Sequence, residues 1–311
     1  MEFREIAAGL EFPEGPVALA DGSVLLAEIA GGRLTRIWPD GRVEPVAVTG
    51  GGPNGVALGP DGKAYVCNNG GFLFADAPLY GINIPVGPAD DYAGGSIQRV
   101  DLTTGAVETL YTEADGVTLR GPNDLVFDGD GGFWFTDHGK SFHRSRDRTG
   151  VFYARADGSF IREVVFPLEN PNGIGLSPDG QTLYVAETYT CQLWAFDLAG
   201  PGEILPSPNL FGHGGRFIYR PEGFQYFDSL AVEACGNVCV ATIGESGVTV
   251  IAPDGRVEAF VSTPDVFTTN ICFGGPDLRT AYLTLSGTGR LVACDWPRPG
   301  LAAAHTGRPA R

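Results

Sequence analysis

Methionine, histidine and positive charge are scarce in this sequence. One Met and four His stand among 311 residues, and 21 Lys and Arg face 37 Asp and Glu, for a formal net charge of -16. Such a chain repels a phosphate backbone, so nucleic acid is excluded as a partner. The six cysteines (Cys67, Cys191, Cys235, Cys239, Cys272, Cys294) include no CxxC pair and no neighbouring His. That removes a zinc-finger type of site and fits buried free thiols in a reducing compartment, with no disulfide expected between Cys235 and Cys239. No apolar run approaches the roughly 20 residues that span a bilayer, and the opening MEFREIAAGLEF has neither a cationic start nor an apolar core. The expectation is a soluble cytoplasmic protein without a signal peptide. A GxSxG elbow is also missing, which leaves a serine-hydrolase reading unsupported.

Glycine and proline are plentiful, at 46 and 23, and the apolar stretches are short, a profile of many strands joined by turns. Six segments superimpose: FPEGPVALADGSVLLAE, GPNGVALGPDGKAYVCN, GPNDLVFDGDGGFWFTD, NPNGIGLSPDGQTLYVAE, YFDSLAVEACGNVCVAT and TTNICFGGPDLRTAYLT. Each carries a polar residue (Glu14, Asn54, Asn123, Asn172, Asp228, Asn270), then an alternating strand, a turn seven residues after the polar position, and a second strand. Glycine follows the turn position at 22, 62, 131, 180 and 236, where a tight hairpin favours positive φ. Leu278 breaks that pattern, so the last turn is expected to differ.

The spacings between polar positions are 40, 69, 49, 56 and 42 residues, bracketing a four-stranded propeller blade of about 40 to 50. The chain is therefore expected to be all-β, a six-bladed β-propeller over residues 1–296 with four antiparallel strands per blade. Residues before Glu14 would supply the outer strand of the last blade and so close the ring. The surplus at 68–95 and 201–221 reads as loop insertions, and 297–311 as a disordered tail.

First strands of propeller blades line the central channel, so the six polar positions form a ring at one mouth. Two carboxylates among amide oxygens make a hard oxygen site for one divalent cation, Ca²⁺ before Mg²⁺ or Mn²⁺, with Zn²⁺ or Fe²⁺ as further options. The alternative is a repeated turn device, since Asn and Asp also bond to neighbouring backbone; Glu14 speaks against it. The connections after the second strands return to the same mouth. The 68–95 loop, with Phe72, Phe74 and Tyr80, is a candidate lid, and 211–220 could meet it from across the ring, unless these aromatics merely pack the loops onto the blades. The basic run His138 to Arg148 is either an anion attractant or a solvated loop, and His138 projects towards the mouth.

In order, EFPEGP, GPNDLVF, NPNGIGLSPDG and FDSLAV resemble the senescence marker protein (regucalcin)/gluconolactonase family over residues 11–296. The resemblance implies a six-bladed propeller hydrolase with one catalytic divalent cation, held by Glu14, Asn172 and Asp228, with Asn123 as a further ligand or substrate contact. Sugar lactonases of the family often carry an Arg two residues before that Asn and a FTDPPYG motif. Here Arg120 lies three before, Gly121 intervenes, and the motif reads FTDHGK, which points to a different substrate.

The resulting expectation is opening of a lactone by water, with Asp228 as general base and Asn123 orienting the substrate. Arg120, His138, Asn54, Phe72 and Tyr80 are the expected substrate contacts. Phosphotriester hydrolysis on the same ring and a non-catalytic, metal- or ligand-binding propeller stay open beside it. The expected partners are a small-molecule substrate and, at most, a few copies of the same chain.

Overall fold

The computed structural model describes residues 1–208 and 212–306, and no helix occurs among them, so none is long and apolar enough to cross a membrane. Six antiparallel sheets succeed one another as blades. Their channel-lining strands are Pro13–Ala18, Pro53–Leu58, Pro122–Phe127, Pro171–Leu176, Tyr226–Val232 and Thr268–Gly274. Each is followed outward by three partners, and the sixth blade is completed by Arg4–Ala8 paired to Arg290–Asp295, which closes the ring as expected. The first three strands of neighbouring blades carry the core between them. Tyr65, Phe127, Phe133, Phe135 and Phe152, for instance, fill one seam, with Phe135 and Phe152 stacked at 5.0 Å.

Both insertions take regular structure. The 68–95 segment, read as a loop, contains a hairpin, Phe72–Ala77 with Ile82–Pro88, placed between the second and third strands of blade two. In blade four, Glu203–Leu205 and Arg216–Tyr219 both pair with Gln192–Gly200, so the outer strand comes in two pieces. Phe217 packs on Trp194 at 5.7 Å and Tyr219 on Phe227 at 6.4 Å. This part of 211–220 therefore belongs to the blade edge instead of meeting the lid; Phe211 lies outside the described residues.

Leu278 corrects another expectation. Its φ of 59° lies in the left-handed region that Gly22, Gly62, Gly131, Gly180 and Gly236 occupy in the other turns. The sixth turn thus keeps the same backbone hand without glycine. Its Leu packs against the apolar cluster of Phe273 and Trp296, and the Leu278 carbonyl accepts the Gly300 N–H at 2.8 Å. None of the six cysteines is in a disulfide; of those expected to be buried, Cys235 is exposed and Cys272 half-buried.

Residues 297–306 are ordered where the sequence suggested a disordered tail; 307–311 lie outside the described residues. The cause is Glu233, a fully buried carboxylate that accepts hydrogen bonds from Trp296 Nε1 (2.7 Å), Asn237 Nδ2 (2.9 Å) and both Nε and a terminal nitrogen of Arg298. Backbone pairing of Ala234 with Pro299 and of Leu301 with Val232 then carries the segment across the far end of the channel. Removing Glu233 strands the Arg298 guanidinium in a partly buried site. Glu233→Ala is expected to lower unfolding free energy by about 3 kcal/mol, read from urea denaturation; a loss under about 1 kcal/mol would show the clasp to be ornamental.

A candidate cation and substrate site at the channel mouth

Every channel-lining strand has a register shift against its neighbour beside its ring position, for example between Glu14 and Val17, Pro122 and Leu125, and Phe227 and Leu230. A bulge re-aims a side chain that regular pleating would direct into the blade seam. Glycine makes the narrow channel possible: a Cβ on Gly15, Gly55 or Gly173 would come within 2.3, 2.6 and 2.8 Å of the backbone oxygens of Asn54, Asn123 and Asp228, respectively. These three inner strands thus press on the ring position of the next blade.

A second set of side chains fixes where the inner strands begin. Glu28, Asn68 and Asp137 stand fourteen residues after the ring positions of blades one to three, and Glu187 fifteen after that of blade four. All four are buried, and they accept backbone N–H groups from Glu11, Gly52, Gly121 and Glu169, two or three residues before the ring. The nearly constant offset is a sequence signal for these residues.

Glu14, Asn54, Asn123, Asn172 and Asp228 line one cavity of about 350 Å³, and all are buried. Asn270, the sixth ring position, sits beneath and orients Glu14: its Nδ2 donates to Glu14 Oε2 at 2.8 Å, and the same oxygen accepts the Gly15 N–H at 2.8 Å. Asn172 Nδ2 donates to Thr188 Oγ1 at 3.1 Å, and its Oδ1 accepts from Ser229 Oγ at 3.3 Å. Asn123 Oδ1 is buried with no hydrogen-bond partner.

Burial pushes the Glu14 carboxyl up from its ordinary range, against the lowering effect of its bonds to Asn270 and Gly15. Asp228 is raised well above that range by burial and then by the charge of Glu14. Asp124, which follows Asn123 and packs against Gly55, is pushed up to about 7 by burial and by Glu14; the sequence comparison passed it over because its neighbour filled the ring position. Among the described residues no Lys or Arg lines the cavity. Buried carboxylates with no counter-charge hold either protons or a cation. Two carboxylates, amide oxygens and one buried oxygen lacking a donor fit a hard divalent ion, and they offer nothing to a thiophilic one.

The expected substrate contacts divide. Asn54, His138 and Phe72 line the cavity. His138 is neutral at physiological pH, its imidazole held down to about 4 by burial. Arg120 is exposed and does not line the cavity; its N–H is engaged by Asp137 Oδ2 and its carbonyl by the Tyr92 hydroxyl. Tyr80, at the hairpin tip, is 61% exposed and also stands outside.

Members of the basic run are engaged elsewhere. Arg146 and Arg148 pair with Glu169 at 2.8 and 3.3 Å. Lys140 is fully buried: its Nζ donates to Asn69 Oδ1 (3.1 Å) and Gly71 O (2.8 Å) and lies 3.4 Å from the Phe72 ring centroid, so it pins the root of the lid hairpin. Farther along the hairpin, Phe74 meets Phe12 at 5.2 Å, and Phe12 meets Phe267 at 6.2 Å. Phe12, Tyr189, Tyr226 and Phe267 also wall the cavity; Phe12 and Tyr226 open their repeats, each two residues before a ring position, whereas Tyr189 and Phe267 come from connecting turns that no repeat marks.

Known proteins resemble this chain to different degrees. A gluconolactonase of Zymomonas mobilis is 27% identical over 294 residues, covering 86% of this chain and 75% of its own. A lactonase, drp35, of Staphylococcus haemolyticus is 26% identical over 78% of this chain and 66% of its own. The diisopropyl-fluorophosphatase of Loligo vulgaris is 28% identical over 62% of this chain and 63% of its own. The fold recurs in the solved structure of a gluconolactonase from Xanthomonas campestris (TM-score 0.74, 23% identity, 95% of this chain and 89% of that one). It recurs also in a calcium-binding regucalcin from Agrobacterium tumefaciens (TM-score 0.71, 18% identity, 97% and 93%). Residues 12–287 match the SMP-30/Gluconolactonase/LRE-like region, a span that takes in every ring position, and the chain belongs to that family.

Proposed function

We propose that the protein is a divalent-cation-dependent lactonase, with calcium as its ion. The observation that carries this reading is one cavity lined by two buried carboxylates, Glu14 and Asp228, and by Asn123 with its buried oxygen lacking a donor. Glu14, Asn123, Asn172 and Asp228 would hold the ion, which supplies Lewis acidity towards a carbonyl oxygen. The chain's own groups do the rest. A carboxylate oxygen of Asp228 takes the proton of the attacking water and returns it to the ring oxygen as the ester bond opens. Asn270 and the Gly15 N–H keep Glu14 Oε2 in place, and Thr188 and Ser229 fix the amide plane of Asn172. Asn123 orients the substrate carbonyl, while the lid hairpin and its aromatic contacts limit water to the reacting molecule.

Hydrolysis of γ- and δ-lactones before and after exhaustive chelation tests the reading. Activity should fall at least a hundredfold on chelation and return with Ca²⁺; undiminished turnover in the stripped protein would overturn it. The similarity to the squid fluorophosphatase favours a second reading, phosphotriester hydrolysis at the same ring. A dialkyl fluorophosphate in the same assay separates the two, and tight cation binding without turnover of any ester would leave a binding propeller.

A further inference from the structure

The walls around the ring indicate the class of substrate, an inference that rests on the lactonase reading. The cavity's polar groups are concentrated at the ring. Around them stand Phe12, Phe72, Val86, Tyr226, Ile243 and Phe267. Of the remaining polar wall groups, Thr188 accepts from Asn172 and Ser141 Oγ lies 3.4 Å from the Tyr189 hydroxyl, while the His138 imidazole, uncharged near neutrality, and the Tyr226 hydroxyl add no charge to the wall.

No Lys or Arg lines the cavity among the described residues. Lys140, the nearest buried cation in the sequence run, is turned onto the other neighbours of Phe72, with Asn69, Gly71 and Tyr92 around it. The chain's net charge of -16 adds a field that opposes an anionic substrate.

We propose that the substrate is a neutral lactone bearing an apolar substituent, alkyl or aryl, and not a polyhydroxylated or anionic one. The lactone carbonyl belongs at the ring, where the polar groups are, and the substituent belongs against the aromatic walls. A sugar lactone would have to leave several hydroxyls unpaired against Phe and Val side chains, each lowering kcat/KM by about five- to 150-fold. A hydrocarbon substituent gains from the same surface, about fourfold in kcat/KM for each fully buried methylene. A cavity of about 350 Å³ accommodates a six-membered lactone with a short chain or one aromatic ring.

Three δ-lactones decide the matter: unsubstituted δ-valerolactone, δ-nonalactone with its butyl chain, and D-gluconolactone, each at saturating Ca²⁺. The expected result is a kcat/KM for δ-nonalactone at least tenfold above both others, with that advantage over δ-valerolactone shrinking to under threefold in Phe72→Ala. D-gluconolactone hydrolysed as well as or better than δ-nonalactone overturns the inference and leaves the lactonase reading standing. So does an advantage that Phe72→Ala leaves intact. Hydrolysis of none of the three overturns the lactonase reading, and this inference with it.

Discussion

Asp228→Asn is expected to lower kcat on a lactone substrate about a thousandfold, within the range of a lost general base, while the variant still binds a divalent cation. The carboxylate shares its cavity with Glu14, and each makes ionisation of the other harder. An amide of the same shape keeps an oxygen for the ion and loses the proton acceptor. Glu14→Gln removes charge from the same cavity but leaves Asp228, so it is expected to weaken cation affinity and to recover most of kcat when the cation is raised. Calorimetric titration of the ion and steady-state kinetics at two cation concentrations separate these effects. If Asp228→Asn kept kcat within tenfold of the parent with the ion bound, the proton would have to go elsewhere. Asp124 would be the next group to examine, since its carboxyl is also raised and lies against the neighbouring strand.

The parts of this architecture that repeat were legible, and the parts that do not repeat were not. Six polar positions at constant distance from six turns identified the blades and the ring, because a propeller converts periodicity along the chain into proximity around an axis. The same periodicity concealed Leu278, whose departure from glycine looked like a change of turn and is a left-handed leucine held by packing and a hydrogen bond to Gly300.

Lys140 illustrates a second limit. In sequence it is one charge in a basic run, and such runs are usually solvated. In the fold it is fully buried against Phe72, which is 68 positions away along the chain. Glu233 is a third case: nothing local distinguishes it from any other turn carboxylate, and its partners Trp296 and Arg298 are more than sixty residues on. Loop insertions rich in Gly and Pro were read as irregular, yet the alternation in FLFADA and INIPVGP forms the lid hairpin.

Cation affinity is expected to fall steeply with acid, by at least tenfold between pH 7.5 and 5.5, and each mole of Ca²⁺ bound near pH 6 should release protons. The sign follows from the carboxyls. Glu14, Asp228 and Asp124 are all raised, Asp124 to about 7 from 3.8, so in the cation-free fold they hold protons at pH values where ordinary carboxylates do not. An ion must displace the protons of Glu14 and Asp228, the two carboxyls that line the cavity, and each proton displaced weakens binding about tenfold for every pH unit below the raised value. A site of unperturbed carboxylates, with pKa values near 4, would show almost no change over the same window.

Stability of the cation-free protein carries the same information with opposing contributions. Carboxyls raised in the fold contribute stability that is present in acid and lost as pH climbs from about 4 through 7. His138, lowered to about 4, contributes stability that is gained as pH rises over much of that range. The difference between melting temperatures with and without Ca²⁺ is therefore the better measure, since the histidine contribution largely cancels. At a hundredfold excess over its Kd an ion adds about 2.7 kcal/mol, so the calcium-induced rise in Tm at fixed Ca²⁺ should grow from pH 5.5 to 7.5. Titration in two buffers of different ionisation enthalpy counts the protons released. A calcium affinity flat across this window, with no proton release, would mean that Glu14 and Asp228 are ionised before the ion arrives, and the burial argument for the site would fail with it.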